Sequence, residues 1–102
     1  MIHVVAMITA KPGMRADILR AFHENRPNVL AEAGCIEYGP AVDAEGAGAA
    51  QTPFGPDTFV VIEKWASLDA LKAHAASAHM AAYAARTREK IAERKVHILT
   101  PA

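Results

Sequence analysis

Residues 2–10, Ile-His-Val-Val-Ala-Met-Ile-Thr-Ala, are dense in apolar and β-branched side chains and run into Lys11-Pro12-Gly13. That pattern predicts a strand, and Pro and Gly predict its end, because neither continues a central strand. From Met14 the spacing changes. Met14, Ile18, Leu19 and Phe22 fall on one helical stripe while Arg15, Asp17 and Arg20 fall off it, which predicts a helix reaching at least Asn25. Pro27 lacks a backbone donor and is expected to kink or break this helix; Val29 and Leu30 extend the stripe, and Gly34 suits a C-terminal cap. Residues 35–42 predict a second strand. Residues 43–57 hold three glycines and two prolines and predict a loop longer than most hairpin connections. Residues 58–65, Thr-Phe-Val-Val-Ile-Glu-Lys-Trp, carry the strongest strand signal. Ser67 reads as a helix N-cap, with Asp69 in the first turn, and Ser77 reads as a second N-cap. A short helix is therefore expected before a longer one over residues 78–92, with Met80, Tyr83, Thr87 and Ile91 in one row. Residues 96–100 predict the last strand, which Pro101 ends.

The order βαββαβ predicts an α+β domain: an antiparallel sheet with the helices on one face. A sheet with its other face in water should alternate apolar and polar residues. These strands do not. Val5 and Met7 oppose Val4, Ala6 and Ile8; Phe59 and Val61 oppose Val60 and Ile62; Val96 and Ile98 oppose Leu99. Both faces are expected to be covered, and no spare segment is long enough to cover the second. A homodimer through the open sheet face is the economical expectation.

Composition narrows the function. The 102 residues make a single domain, residues 1–102, with Lys+Arg 11 against Asp+Glu 11 and no long-range field to hold nucleic acid. Hydrophobic residues make up 52% of the chain, too many for a disordered protein, although 23 of them are alanines and the core is modest. No run reaches the length of a membrane span, and the N-terminus lacks a basic leader, so a cytoplasmic location is expected. The single cysteine, Cys35, excludes an internal disulfide framework and a cysteine-rich zinc site, and it reads as a small buried hydrophobe. Met7, Met14 and Met80 read as core filler.

Chemistry concentrates in few residues. Glu63 and Trp65 are two apart on a strand and share a face with Phe59 and Val61, so they form either a pocket wall or a core residue beside a strand end. His74 and His79 would point about 140° apart on one continuous helix. The break at Ser77 frees them to converge. Their spacing is not that of a metal pair, which leaves hydrogen bonding to a polar aromatic ligand, or a capping or surface pair. Tyr38 and Tyr83 offer phenolic hydroxyls to a cavity or serve as amphipathic core residues. Arg86, Arg88, Lys90, Arg94 and Lys95, interleaved with Glu89 and Glu93, read as a solvated helix face. Phosphate-loop, nucleophile-elbow and dinucleotide fingerprints are absent.

Taken in order, Ile-His-Val-Val-Ala before Lys-Pro-Gly, Glu-Ala-Gly-Cys35-Ile-Glu-Tyr38, Phe-Val-Val-Ile-Glu63-Lys-Trp65 through His74, and Ser77-Ala-His79-Met80 resemble the antibiotic biosynthesis monooxygenase domain. The resemblance spans nearly the whole chain, and Glu-x-Trp followed nine residues later by His is its sharpest part. It implies a ferredoxin-like protomer and a homodimer whose two sheets form an α+β barrel. It implies oxygenation of phenolic or quinol aromatics with molecular oxygen, in several members without flavin, haem or metal, and so no cofactor here. Carried over by position, it implies that Trp65 lines the cavity, that His74, His79 and Tyr83 sit at its mouth or wall, and that Glu63 holds a motif position, where it acts or orients a neighbour. The candidate site is therefore His74, His79 and Trp65 as catalytic residues with Tyr83, Glu63, Phe59 and Tyr38 as a ligand wall, although Tyr38 reads rather as an amphipathic core residue. Haem-degrading relatives carry an asparagine on the first strand and, on the second helix, a histidine about nineteen residues after the Trp; here the first strand has no Asn and that helix position is Ala84, so haem degradation is disfavoured. The loop over residues 43–57 is longer than the simplest pattern needs and is expected to form a lid or a dimer contact. The alternative function is a non-catalytic ligand-binding or scaffold dimer. Enclosure of Trp65, His74, His79 and Tyr83 in one cavity distinguishes the two.

Overall fold

A computed structural model describes all residues, 1–102. The elements run β1 (Ile2–Ala10), α1 (Arg15–Leu30), β2 (Cys35–Ala41), β3 (Thr58–Trp65), α2 (Leu68–Ala75), α3 (Ala78–Thr87) and β4 (Ile91–Leu99). The four strands form one antiparallel sheet in the order β2-β3-β1-β4, the ferredoxin-like arrangement expected from the sequence.

Strand alternation sorts the side chains. In β1, Ile2, Val4, Ala6, Ile8 and Ala10 are all buried, and the residues between them are half-buried. In β3, Phe59, Val61, Glu63 and Trp65 are buried on the same side. These residues meet Ile18, Phe22 and Val29 of α1 in one core. Phe22 stacks on Tyr38 at a centroid separation of 5.0 Å, which ties α1 to β2.

Three boundaries differ from the sequence pattern. Pro27 sits inside the last turn of α1, and the helix continues to Leu30, because only one backbone bond near its end is lost. The helix cap falls on Ala31, not Gly34. Gly34 instead turns the chain into β2 with φ +83°, where a Cβ would lie 2.6 Å from the Ala70 Cβ of α2. The third helix does not run to Ala92. α3 stops at Thr87, Arg88–Lys90 form one 3-10 turn, and β4 starts at Ile91. Arg94 and Lys95 are therefore strand residues on opposite faces of the sheet, not members of a helix face.

The loop after β2 is tied at its base. Asp43 accepts hydrogen bonds from the backbone N–H of Phe54 at 3.0 Å and of Gly55 at 2.9 Å. Those bonds hold its carboxyl below the ordinary range. Arg15 reaches the carbonyls of Gly55 and Thr58 from the start of α1. No helix is long and apolar enough to cross a membrane.

Candidate active site

β3 lies between β1 and β2, so side chains on its helix side are enclosed by both neighbours. Trp65 and Phe59 are completely buried there. Two-residue spacing brings Glu63 beside Trp65, whose indole N–H donates to Glu63 Oε1 at 2.9 Å. Burial pushes the Glu63 carboxyl above its ordinary range; the indole bond, His74 and Arg94 act in the opposite direction.

The two serines expected as caps do start their helices. Ser67 Oγ accepts from Ala70 N, and Ser77 Oγ accepts from Met80 N. Ser77 also donates its hydroxyl to the His74 carbonyl at 2.8 Å, so one side chain ends α2 and begins α3. The resulting bend lets both imidazoles converge on a residue that sequence reasoning missed. Glu32, just past the end of α1, has Oε2 2.8 Å from His74 Nδ1 and Oε1 2.6 Å from His79 Nε2. A carboxylate only accepts, so those two nitrogens carry the protons that face it. Glu32 stands within the Glu-Ala-Gly-Cys segment, but a glutamate in a helix-ending turn has nothing in its local sequence to mark it as a bridge.

The His74 ring is held on several sides. Its centroid lies 4.6 Å from that of Trp65 and 5.4 Å from that of Tyr38. With Nδ1 bonded to Glu32, Nε2 makes no hydrogen bond within the protein, and His74 lines a cavity beside it.

That cavity, about 720 Å³, opens between the helix side of β1 and β4 and the helices α2 and α3. Its walls are mostly apolar: Val4, Ala6, Leu71, Met80, Val96 and Ile98 all contribute. Polar groups reach it from Glu63, His74, Tyr83 and three cations, Lys72, Arg88 and Arg94. Burial raises the Tyr83 phenol to about 12, against the nearby Arg94 charge.

His74, Tyr83 and Glu63 thus share one cavity, but Trp65 and His79 do not line it, so of the four residues whose common enclosure was to separate an enzyme from a ligand-binding protein only His74 and Tyr83 meet there. Trp65 backs the site rather than lining it, because its position on the central strand encloses the indole completely. Phe59 is a core residue against Phe22. Tyr38 is stacked on Phe22 and meets His74 edge-to-face, and burial pushes its phenol far up. His79 lies on the outer side of Glu32, in a shallower cleft with Asn28 and Ser77, and its Nδ1 is buried without a partner. Arg94 joins the wall because β4 begins early. No residue of the 43–57 loop lines this cavity, so the loop is not a lid over it. Nor do three His, Cys, Asp or Glu side chains converge in a metal-binding group.

Residues 1–86 match the family model described as antibiotic biosynthesis monooxygenase. The chain is 38% identical over 103 residues to the Escherichia coli (strain K12) protein named "Probable quinol monooxygenase YgiN", covering 99% of this chain and 98% of that one. Among solved structures, a conserved protein from Methanosarcina mazei Go1 is similar with a TM-score of 0.84 at 24% identity, covering 99% of this chain and 92% of that chain. PA3566 from Pseudomonas aeruginosa gives 0.80 at 24% identity, covering 99% and 93%. These structural likenesses bear on the fold alone, whereas the family match runs from β1 to near the end of α3 and includes Glu32, His74 and His79. The chain is a member of the antibiotic biosynthesis monooxygenase family.

Proposed function

We propose that the protein oxygenates a quinol or phenolic aromatic with molecular oxygen, without flavin, haem or metal. The observation that carries this reading is the immobilised imidazole of His74, tied at Nδ1 to Glu32 and free at Nε2 beside an apolar cavity. Family membership and the name of the Escherichia coli relative support the reaction class.

The substrate supplies the electrons. Deprotonation turns a quinol into a quinolate, whose electron-rich ring reacts with oxygen. One oxygen atom becomes a ring hydroxyl and the other leaves as water, while the quinol gives up four electrons and becomes a hydroxyquinone. His74 Nε2 takes the phenolic proton as general base. Glu32 is a positioning residue: it fixes the tautomer and stabilises the imidazolium that forms. His79 steadies Glu32 from the far side, and Trp65 supports both His74 and Glu63 from behind. The apolar walls exclude water from the reacting ring.

A homodimer through the open sheet face belongs to the same reading. The sheet face away from the helices carries Val5, Met7, Val60 and Ile62 at its centre, and Ile62 is 41% exposed. Packing of a second copy there would cover this apolar centre and leave the cavity open on the other side of the sheet.

Oxygen-electrode assays with a panel of hydroquinones and anthrones test the proposal. Uptake by the wild type is expected to fall about 10²-fold in His74→Ala. Glu32→Gln is expected to shift the pH–rate profile while keeping the wild-type melting temperature within a few degrees. Unchanged uptake in His74→Ala overturns the general-base role. No uptake with any compound overturns the oxygenase reading in favour of a ligand-binding dimer.

A further inference from the structure

The cavity holds more positive charge than the proposed chemistry of a neutral quinol uses. Lys72, Arg88 and Arg94 all line it. None of them makes an ion pair, whereas Arg86, Lys64 and Lys95 elsewhere on the surface are paired with Glu24, Glu37 and Glu93. The one carboxylate in the cavity wall is Glu63. It is already bonded to the Trp65 indole, and burial pushes it toward its neutral form. The whole chain has a net charge of zero, so this excess is local to the cavity.

Arg94 is the best placed of the three. It pairs with Ile8 across β1 and β4, which puts it on the helix side of the sheet between apolar neighbours. Its neighbours Glu93 and Lys95 point to the opposite face, where they pair with each other. Arg94 has no hydrogen-bond partner of its own in the protein, although its charge is felt by both Glu63 and Tyr83. A guanidinium left unpaired beside an aromatic-sized cavity is suited to fork onto a carboxylate. A neutral quinol develops one negative charge, and only after it loses a proton. Three unpaired cations match a permanent anion better.

We infer that Arg94, assisted by Lys72 and Arg88, selects aromatic acids: phenols or quinols that carry a carboxylate on the ring. This deepens the function proposed above and rests on it, since the same cavity holds the ring. The carboxylate docks on Arg94 at the β4 edge, and the apolar walls of β1, α2 and α3 take the ring. Because the cations are exposed at the mouth, their effect is screened by salt.

Calorimetric titration of the intact protein with a hydroxynaphthoate and with the matching naphthol lacking the carboxylate tests this inference. At low salt the wild type is expected to bind the naphthoate at least about tenfold more tightly, with the preference shrinking as salt is added. Arg94→Gln is expected to remove most of the preference by lowering naphthoate affinity far more than naphthol affinity; Arg94→Lys is expected to keep part of it. Equal affinities in the wild type, or a preference that survives in Arg94→Gln, overturn the inference. Naphthol binding without any naphthoate preference overturns it while sparing the aromatic cavity. Binding of neither compound overturns both.

Discussion

Trp65 and Glu63 work as one unit, and each can be tested separately. The Trp65 indole is fully enclosed, so Trp65→Ala leaves a cavity that its rigid neighbours cannot fill. A loss of about 3–5 kcal/mol is expected, read as a large drop in melting temperature. A wild-type melting temperature would refute the structural role given to the ring. Glu63 has its carboxyl raised above the ordinary range, chiefly by burial. The unfolded chain therefore gives up this proton at lower pH than the folded one. Glu63 contributes stability that is fully present below the ordinary carboxylate range and lost as the pH rises through the raised folded value. Glu63→Gln keeps an acceptor for the indole N–H and removes the titration. The melting temperature of the variant relative to wild type is expected to climb across that window and then level off; a difference independent of pH would contradict the assignment. At this scale the sequence already singled out Glu63, Trp65, His74 and Tyr83, because aromatic and titratable residues on apolar strands and helix stripes are conspicuous. Glu32 and Arg94 were not legible. An acidic residue in a turn and a basic residue in a charged run look like solvated surface until folding sets them against a partner or a cavity.

The elements position the site through short junctions. α2 and α3 are separate helices because Ser77 satisfies groups at both of their facing ends, and this break is what turns His79 back toward Glu32. Gly34 performs a second junction. Its φ of +83° suits a residue without a side chain, and α2 packs so closely that an added Cβ would stand 2.6 Å from the Ala70 Cβ. Gly34→Ala is expected to cost about 2–3 kcal/mol from strain and overpacking together. Gly13→Ala has a similar φ of +77° but open space around it, and is expected to cost about 1 kcal/mol. Thermal melts of the two variants side by side measure the contact, and equal losses would show that α2 gives way. The serine caps could be read in advance, since a serine before an apolar stripe has a local chemical purpose. The start of β4 could not. Residues 88–92 contain no Pro or Gly, and their charged side chains fit a helix as well as an edge strand, so pairing with β1 made the choice.

For the whole molecule, the two faces of the sheet have different fates. One is covered by helices over β2 and β3 and opens into the cavity over β1 and β4. The other has no cover within the chain, and Val5, Met7, Val60 and Ile62 form its apolar centre. Sedimentation at micromolar concentration is expected to give a dimer, and Val5→Lys at the centre of that face is expected to shift it to monomer. A compact single subunit for the wild type would remove the second copy from the proposal. The sequence by itself determined the class of fold and the face of the central strand that carries Glu63 and Trp65, because strand alternation, turn residues and helix caps act over a few residues. It also carried the family resemblance, since that lies in the order of short motifs. Only the tertiary structure decided that Trp65 backs the cavity instead of lining it, that Glu32 joins the two histidines, and that Arg94 lines the same cavity as His74. Each of these depends on which strand or helix packs beside which, and contacts between distant segments leave no periodic trace in the chain.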